Sequence, residues 1–99
     1  MPLPNTPIEQ LKNLGPASAK QLAQINIMTY QQLANKGAIA CYASLLKLDG
    51  FSPNINLLYA LLGAIDDQHW TMYAKEKGDI LFRLESYLEI ESKFQNQEN

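Results

Sequence analysis

The side chains closest to a metal-binding or acid–base pattern are two carboxylates and an imidazole at residues 66–69. Asp66, Asp67 and His69, the only histidine of the chain, are of types that bind zinc or move protons. Their spacing matches no recognised ligand motif, so we favour a plainer interpretation. In it the aspartates end a helix in solvent and His69 lies at a turn. A metal site is not predicted, and a small enzyme using His69 with a carboxylate is the least favoured function.

The single cysteine, Cys41, excludes both an internal disulfide and a cysteine-rich zinc site. As a nucleophile it would need an activating base, and His69 is the only histidine available. A buried, inert thiol is the favoured interpretation. The sequence also lacks a Gly-x-Ser-x-Gly motif, a phosphate-binding loop and a dinucleotide fingerprint. It therefore predicts no enzyme, no catalytic residues, no cofactor and no small-molecule substrate.

Residues 11–22 are similar to a helix-hairpin-helix element, whose turn reads Gly-hydrophobic-Gly before a helix that contains a small residue. Asn13-Leu14-Gly15 fills the turn, and Ala19 is the small residue. Backbone N–H groups at such a helix start can bind a DNA phosphate without reading base sequence. The candidate phosphate contacts are Lys12, Asn13, Gly15, Ala17, Ser18 and Lys20.

Two differences from the helix-hairpin-helix pattern, together with the charge distribution, weaken this DNA-binding hypothesis. Asn13 replaces the first glycine but tolerates a left-handed conformation, so the turn is kept. Ala17 stands where DNA-binding members often carry a basic residue. The net charge is −2. Residues 1–60 carry four basic and two acidic residues, whereas residues 61–99 carry four basic and eight acidic residues. We prefer a hairpin that only joins two packed helices, and keep weak DNA binding by the first half as the alternative.

Helix signals recur along the whole chain. Thr6 and Glu9 have the spacing of a capping box, as do Thr29 and Gln32, while Ser52-Pro53 is a typical helix start. The first predicted helix begins after Thr6 and ends at Leu14. Five more span about residues 16–25, 30–36, 38–48, 53–65 and 71–94. No window shows strand alternation. The prediction is an all-α, compact domain of five or six helices that covers residues 1–99.

The fifth predicted helix is apolar on every side from Ile55 to Ile65 except at Asn56. Such a helix belongs in the middle of a bundle. Gly63 inside it costs about 1 kcal/mol relative to alanine, so we expect a neighbouring backbone to cross closely there.

The last predicted helix remains apolar late in the chain, and two interpretations stay open. Its candidate oligomer interface consists of Tyr87, Leu88, Ile90 and Phe94. An apolar stripe that one small domain leaves uncovered commonly pairs with a partner helix or a symmetry mate. In the other interpretation the helix folds back over the bundle, so that Glu85, Glu89 and Glu91 face water.

Several stretches, taken in order, resemble the C-terminal domain of the TfoX/Sxy family of competence regulators. They are Leu14-Gly15-Pro16-x-Ser18, Ile25-x-Ile27-x-Thr29-Tyr30-x-x-Leu33, Gly37-Ala38-x-x-x-Tyr42-x-x-Leu45, Asn56-Leu57-Leu58-Tyr59-Ala60-Leu61-x-Gly63-Ala64 and His69-Trp70. The match runs from about Leu11 to Leu84. It implies an all-α, helix-hairpin-helix-like domain, which in full-length members follows a separate N-terminal domain and belongs to proteins that promote expression of DNA-uptake genes.

The resemblance supplies no established catalytic residues, and the chain resembles the stand-alone versions of this domain. We therefore expect a non-enzymatic regulatory or protein-interaction module that binds a protein partner or a second copy of itself, with weak DNA binding as the alternative. The N-terminus lacks the features of a signal peptide, and the longest apolar run, 57–65, is far shorter than the ~20 residues that span a bilayer. The expected location is the cytoplasm, with no membrane partner.

Overall fold

The computed structural model describes the backbone of residues 2–97 and the side chains of residues 2–94. After a single turn of 3-10 helix at Ile8–Gln10 come six α-helices: α1 (Pro16–Ala23), α2 (Tyr30–Lys36), α3 (Ala38–Leu46), α4 (Ile55–Asp66), α5 (Thr71–Ala74) and α6 (Lys77–Gln97). Within the described residues the only β-structure is an isolated bridge between Pro7 and Thr29. The predicted all-α class is confirmed.

Helix α4 lies at the centre of the molecule, packed against α2, α3 and α5. Leu58 and Leu61 are fully buried, while Asn56, the one polar residue in the apolar stretch, is exposed. This confirms the prediction made from the apolar run of 55–65. The core around α4 also takes in Leu22 of α1, Leu33 of α2, Leu45 of α3 and Ile80 of α6.

The start of α2 follows its predicted cap. The Thr29 Oγ1 accepts the N–H of Gln32 at 3.3 Å, and the Gln32 side chain accepts the N–H of Met28 at 2.7 Å. A capping box returns its second bond to the cap residue itself, whereas here the bond reaches one residue further back. The helix still begins where the sequence predicted.

The first predicted helix, through Leu14, is wrong. Of this stretch only Ile8–Gln10 is helical, as one turn of 3-10 helix, and no side chain caps it. The reason is that the preceding backbone is used elsewhere: the carbonyls of Thr6 and Pro4 accept the N–H groups of Tyr30 and Gln31 at 2.9 and 3.0 Å. The N-terminal segment thus satisfies two amides in the first turn of α2, which have no acceptor inside that helix.

The predicted Ser52 cap of α4 is also wrong, because the helix begins later. The Asn54 Oδ1 accepts the N–H of Asn56 at 3.0 Å, so Asn54 is the cap. Its own N–H donates to the phenol oxygen of Tyr42 at 3.1 Å. This bond to α3 holds Asn54 in the extended conformation that a cap residue needs.

The predicted last helix, 71–94, is divided. Thr71–Ala74 forms the short α5, and α6 begins at Lys77 and runs to Gln97, beyond the predicted end. Gly78, the expected weak point, lies one residue inside α6. Among the helices described, none has the length and apolar character needed to cross a membrane.

Candidate interaction surfaces

The predicted hairpin turn, residues 13–15, has a left-handed asparagine just before α1. Among the described residues only the 3-10 turn Ile8–Gln10 precedes it in place of the predicted first helix, so a helix-hairpin-helix element is not specifically shown. Asn13 has a φ of 72°, as expected for a residue standing in place of a turn glycine. Gly15 then precedes Pro16, the first residue of α1, and no side chain caps this end. The N–H groups of Ala17 and Ser18 therefore have no acceptor within the helix. This is the geometry on which phosphate binding would depend.

The Asn13 side chain has a structural role that sequence reasoning missed. Its Nδ2 donates to the carbonyl of Gln68 at 2.8 Å, and its Oδ1 accepts the N–H of Trp70 at 3.2 Å. The amide is thus engaged with the segment between α4 and α5. No short-range sequence pattern indicates these bonds, because the partners lie 55 and 57 residues away in the sequence.

Gly63 of α4 lies beneath this connection, and it cannot carry a side chain without a collision. A Cβ on Gly63 would overlap the Asn13 Nδ2 and the Gln68 carbonyl oxygen. After the last turn of α4, Asp67 takes a φ of 58°, and the Gln68 N–H returns to the Gly63 carbonyl at 2.8 Å. The close backbone crossing expected at Gly63 is confirmed.

The other candidate phosphate contacts lie on α1 and the turn before it, with Lys20 in the last turn of the helix. Lys12, Ala17 and Lys20 are exposed, and Gly15 and Ser18 are half-buried. The arrangement offers two unbonded backbone N–H groups and two ammonium groups on the same element and the turn before it. Whether they bind phosphate stays a prediction.

The carboxylate–histidine cluster at the end of α4 is held by local hydrogen bonds. The Tyr73 hydroxyl donates to the Asp66 Oδ2 at 2.5 Å, and the His69 Nδ1 lies 2.9 Å from the Thr71 Oγ1. Burial, followed by this bond and the Asp66 charge, raises the pKa of Tyr73 to about 12. In the part of the chain that the structure describes, no three His, Cys, Asp or Glu side chains are grouped so as to hold a metal ion.

Cys41 is fully buried in α3, as the sequence predicted. Burial raises the pKa of its thiol to about 11, and the nearby Lys36 charge offsets this only in part. Because a thiolate rather than a thiol is the nucleophile, Cys41 is poorly placed to react near neutral pH.

One side of α6 is fastened to the rest of the protein. Ile80 and Leu84 are buried, and Leu88 packs against the core. Glu91 forms an ion pair with Lys47, just after α3, at an Nζ–Oε1 distance of 2.6 Å. Burial raises the pKa of the half-buried Tyr87, and the charge and hydrogen bond of Glu91 add to it. The interpretation that α6 folds back is therefore correct for this side, although Glu91 is bound by Lys47 rather than facing water.

Next to this side, α6 leaves two large apolar side chains in solvent near its end. Ile90 is 55% exposed and Phe94 is 64% exposed. They are four residues apart and so lie on neighbouring turns of one face, with Tyr87 along its border. We call Ile90, Phe94 and the adjoining edge of Tyr87 the terminal α6 face. Of the four candidate interface residues, Leu88 alone packs on the core.

A family model for the TfoX C-terminal domain matches residues 4–83. The chain belongs to this family. Neither the curated proteins nor the solved structures with which the chain was compared include a match. The TfoX C-terminal domain match contains the hairpin, Gly63 and the connection that covers it, and it agrees with the stretch of about 11–84 on which the resemblance rested.

The TfoX C-terminal domain match ends inside α6, one residue before the buried Leu84. The whole terminal α6 face therefore lies outside the matched residues. Phe82, which is 69% exposed, lies inside them and was not among the predicted interface residues. Its signal in the sequence was its position two residues after the buried Ile80, on the other side of the same helix.

Proposed function

We propose that this TfoX C-terminal domain is a non-enzymatic regulatory module that acts by binding a protein through the terminal α6 face. The observation that carries the proposal is the exposure of Ile90 and Phe94 on a helix that Leu88 and the Lys47–Glu91 pair fasten to the rest of the protein. Exposed apolar side chains that adjoin one another on an ordered helix are typical of helix-pairing sites. A role in competence regulation, implied for longer relatives, would be exerted through such a contact.

The charge around the terminal α6 face favours a protein over a nucleic acid as the partner. Glu85 and Glu89 are exposed on the same helix, and residues 61–99 carry twice as many acidic as basic residues. A phosphate backbone would be repelled by such a helix.

Photo-crosslinking in cells tests this proposal. A benzophenone amino acid would replace Ile90 or Phe94 in turn, with Phe82 and Glu85 as control positions, because both are exposed on α6 outside the terminal face. We expect a discrete protein adduct from positions 90 and 94 and none from positions 82 and 85. Equal yields from all four positions, or none from any, would contradict the proposal.

Weak, sequence-independent DNA binding through the hairpin is the second candidate function. Its support is the pair of N–H groups at Ala17 and Ser18, with the exposed Lys12 in the turn before α1 and the exposed Lys20 in its last turn. The engagement of the Asn13 side chain by Gln68 and Trp70 leaves fewer groups for a phosphate. For this reason the hairpin ranks below the terminal α6 face.

Fluorescence anisotropy with a labelled duplex and a labelled single strand tests the second function. We expect micromolar binding that weakens steeply as salt rises, and loss of binding in Lys12→Glu and Lys20→Glu. Lys93→Glu is the matched control, since it changes the net charge equally at an exposed position near the end of α6. DNA binding that does not depend on salt concentration, or that is unchanged in Lys12→Glu and Lys20→Glu, would show that this turn has only a structural role.

A further inference from the structure

The side of α6 that faces the bundle changes from apolar to polar part-way along the helix. At about 100° per residue, four residues lie within an arc of about 60°: Ile80, Leu84, Tyr87 and Glu91. The first two are buried in the core, whereas Tyr87 and Glu91 are half-buried. Apolar burial therefore holds the start of α6, while its later turns depend largely on polar contacts.

These polar contacts centre on Glu91. The Lys47 Nζ, just after α3, lies 2.6 Å from the Glu91 Oε1, and the two side chains are 52% and 27% exposed. The Glu91 carboxylate also accepts a hydrogen bond from the Tyr87 hydroxyl. Between Tyr87 and Glu91, Leu88 adds an apolar contact with the core but is itself half-buried. We call Lys47, Tyr87 and Glu91 the polar cluster.

We infer that the polar cluster is a regulatory contact, which keeps the last turns of α6 helical and so displays the terminal α6 face. This inference rests on the proposed function and adds its regulation. A helix of about ten residues is marginal in water without tertiary packing, so the turns after Tyr87 unwind when the cluster opens. Ile90 and Phe94 then no longer adjoin each other on one helical face.

The chemistry of the polar cluster makes this contact adjustable. An ion pair with an exposed lysine is weakened by salt and by any anionic group that competes for the ammonium. The burial of Ile80 and Leu84 is not weakened in this way. The end of α6 can therefore open while its start stays in place, as local unfolding of a low-stability segment.

Hydrogen exchange followed by NMR tests whether the polar cluster orders the end of α6. In Lys47→Ala the protection factors of amides 88–94 should fall about fivefold, because Glu91 loses its partner while still half-buried. Those of amides 80–84 should not change. Lys93→Ala is the matched control, since it breaks the exposed pair with Glu89, 3.5 Å apart, on the far side of α6. Equal falls in both variants would overturn the inference.

Charge exchange tests whether the pair itself is responsible. Lys47→Glu should lower the protection of amides 88–94 about tenfold, because it places two carboxylates together. Adding Glu91→Lys should restore protection to within about twofold of the natural sequence, since the pair forms again with its charges exchanged. A double variant that stays as unprotected as Lys47→Glu would show that the ion pair does not hold this segment.

Salt provides a second measurement on the same amides. Raising the salt concentration to about 0.5 M should lower their protection about twofold in the natural sequence, because the pair is partly exposed to screening ions. The same change should have no effect in Lys47→Ala, which has no pair to screen. An equal salt effect in the two proteins would contradict the inference.

Photo-crosslinking from position 90 separates this regulation from the proposed function. The end of a helix opens with a free energy near zero, so a tenfold increase in opening changes the fraction of molecules that can bind. The adduct yield should therefore fall to about half in Lys47→Glu and recover when Glu91→Lys is added. An unchanged yield in Lys47→Glu would show that the terminal α6 face binds its partner without this regulation. If the natural sequence gives no adduct, the proposed function fails, whatever the exchange experiment shows.

Discussion

Gly63→Ala should lower the free energy of unfolding by about 2–4 kcal/mol, although alanine is the better helix former. The methyl group would overlap the Asn13 Nδ2 and the Gln68 carbonyl oxygen. Relieving that overlap requires the turn before α1 to separate from the segment after α4. The expected loss combines overpacking, about 1–3 kcal/mol, with about 1 kcal/mol for each weakened hydrogen bond, and it exceeds the gain of about 1 kcal/mol in helix propensity.

Urea unfolding followed by circular dichroism measures this loss. Gly78→Ala is the matched control, because Gly78 is also helical but has nothing within 4 Å of an added Cβ. That variant should be more stable than the natural sequence by about 0.5–1 kcal/mol. If Gly63→Ala were as stable as Gly78→Ala, the close crossing would have no energetic consequence.

Asn13→Ala should destabilise the protein by about 2–3 kcal/mol, the second large effect. The substitution removes the acceptor of the Trp70 N–H and the donor to the Gln68 carbonyl. The part-buried Trp70 N–H left without its acceptor costs about 1–1.5 kcal/mol, whereas water can replace the exposed bond to the Gln68 carbonyl and its loss costs about 0.5 kcal/mol. Alanine at a φ of 72° adds roughly 1 kcal/mol of backbone strain.

Two further variants separate these contributions in the same unfolding experiment. Asn13→Gly loses the hydrogen bonds but adopts the positive φ freely, so it should be about 1 kcal/mol more stable than Asn13→Ala. Asn26→Ala measures the backbone strain alone, because Asn26 is exposed and has a φ of 64°. If Asn13→Ala cost no more than Asn26→Ala, the side-chain bonds of Asn13 would contribute nothing.

The features predicted correctly from the sequence are those that depend on near neighbours along the chain. The Thr29 cap, the left-handed Asn13 and the buried stretch 55–65 all follow from residue type and short spacing. The predicted Thr6 and Ser52 caps fail for a different reason. Backbone groups near them bond to Tyr30 and Tyr42, residues of other elements, and those bonds outweigh local propensity.

The candidate surfaces show the same limit. Periodicity placed Ile90 and Phe94 on α6, but whether they were covered depended on which side of the helix met α3. The Lys47–Glu91 ion pair joins positions far apart in sequence, and no spacing rule indicates it. At the hairpin, the φ of Asn13 could be anticipated, whereas its bonds to Gln68 and Trp70 could not.

The large sequence separation between Asn13 and its hydrogen-bond partners also bears on the order in which the elements fold. A bond between residues 55 positions apart closes a large loop, and the entropy of that closure is lost before the bond forms. The Asn13 side chain in the turn before α1 therefore makes its bonds only after α4 and the segment following it are in place. Conversely, a fluctuation that lifts residues 68–70 from α4 breaks the two bonds that Asn13 makes from the turn before the first helix. Amide hydrogens at these two distant stretches should consequently exchange with solvent as one cooperative unit.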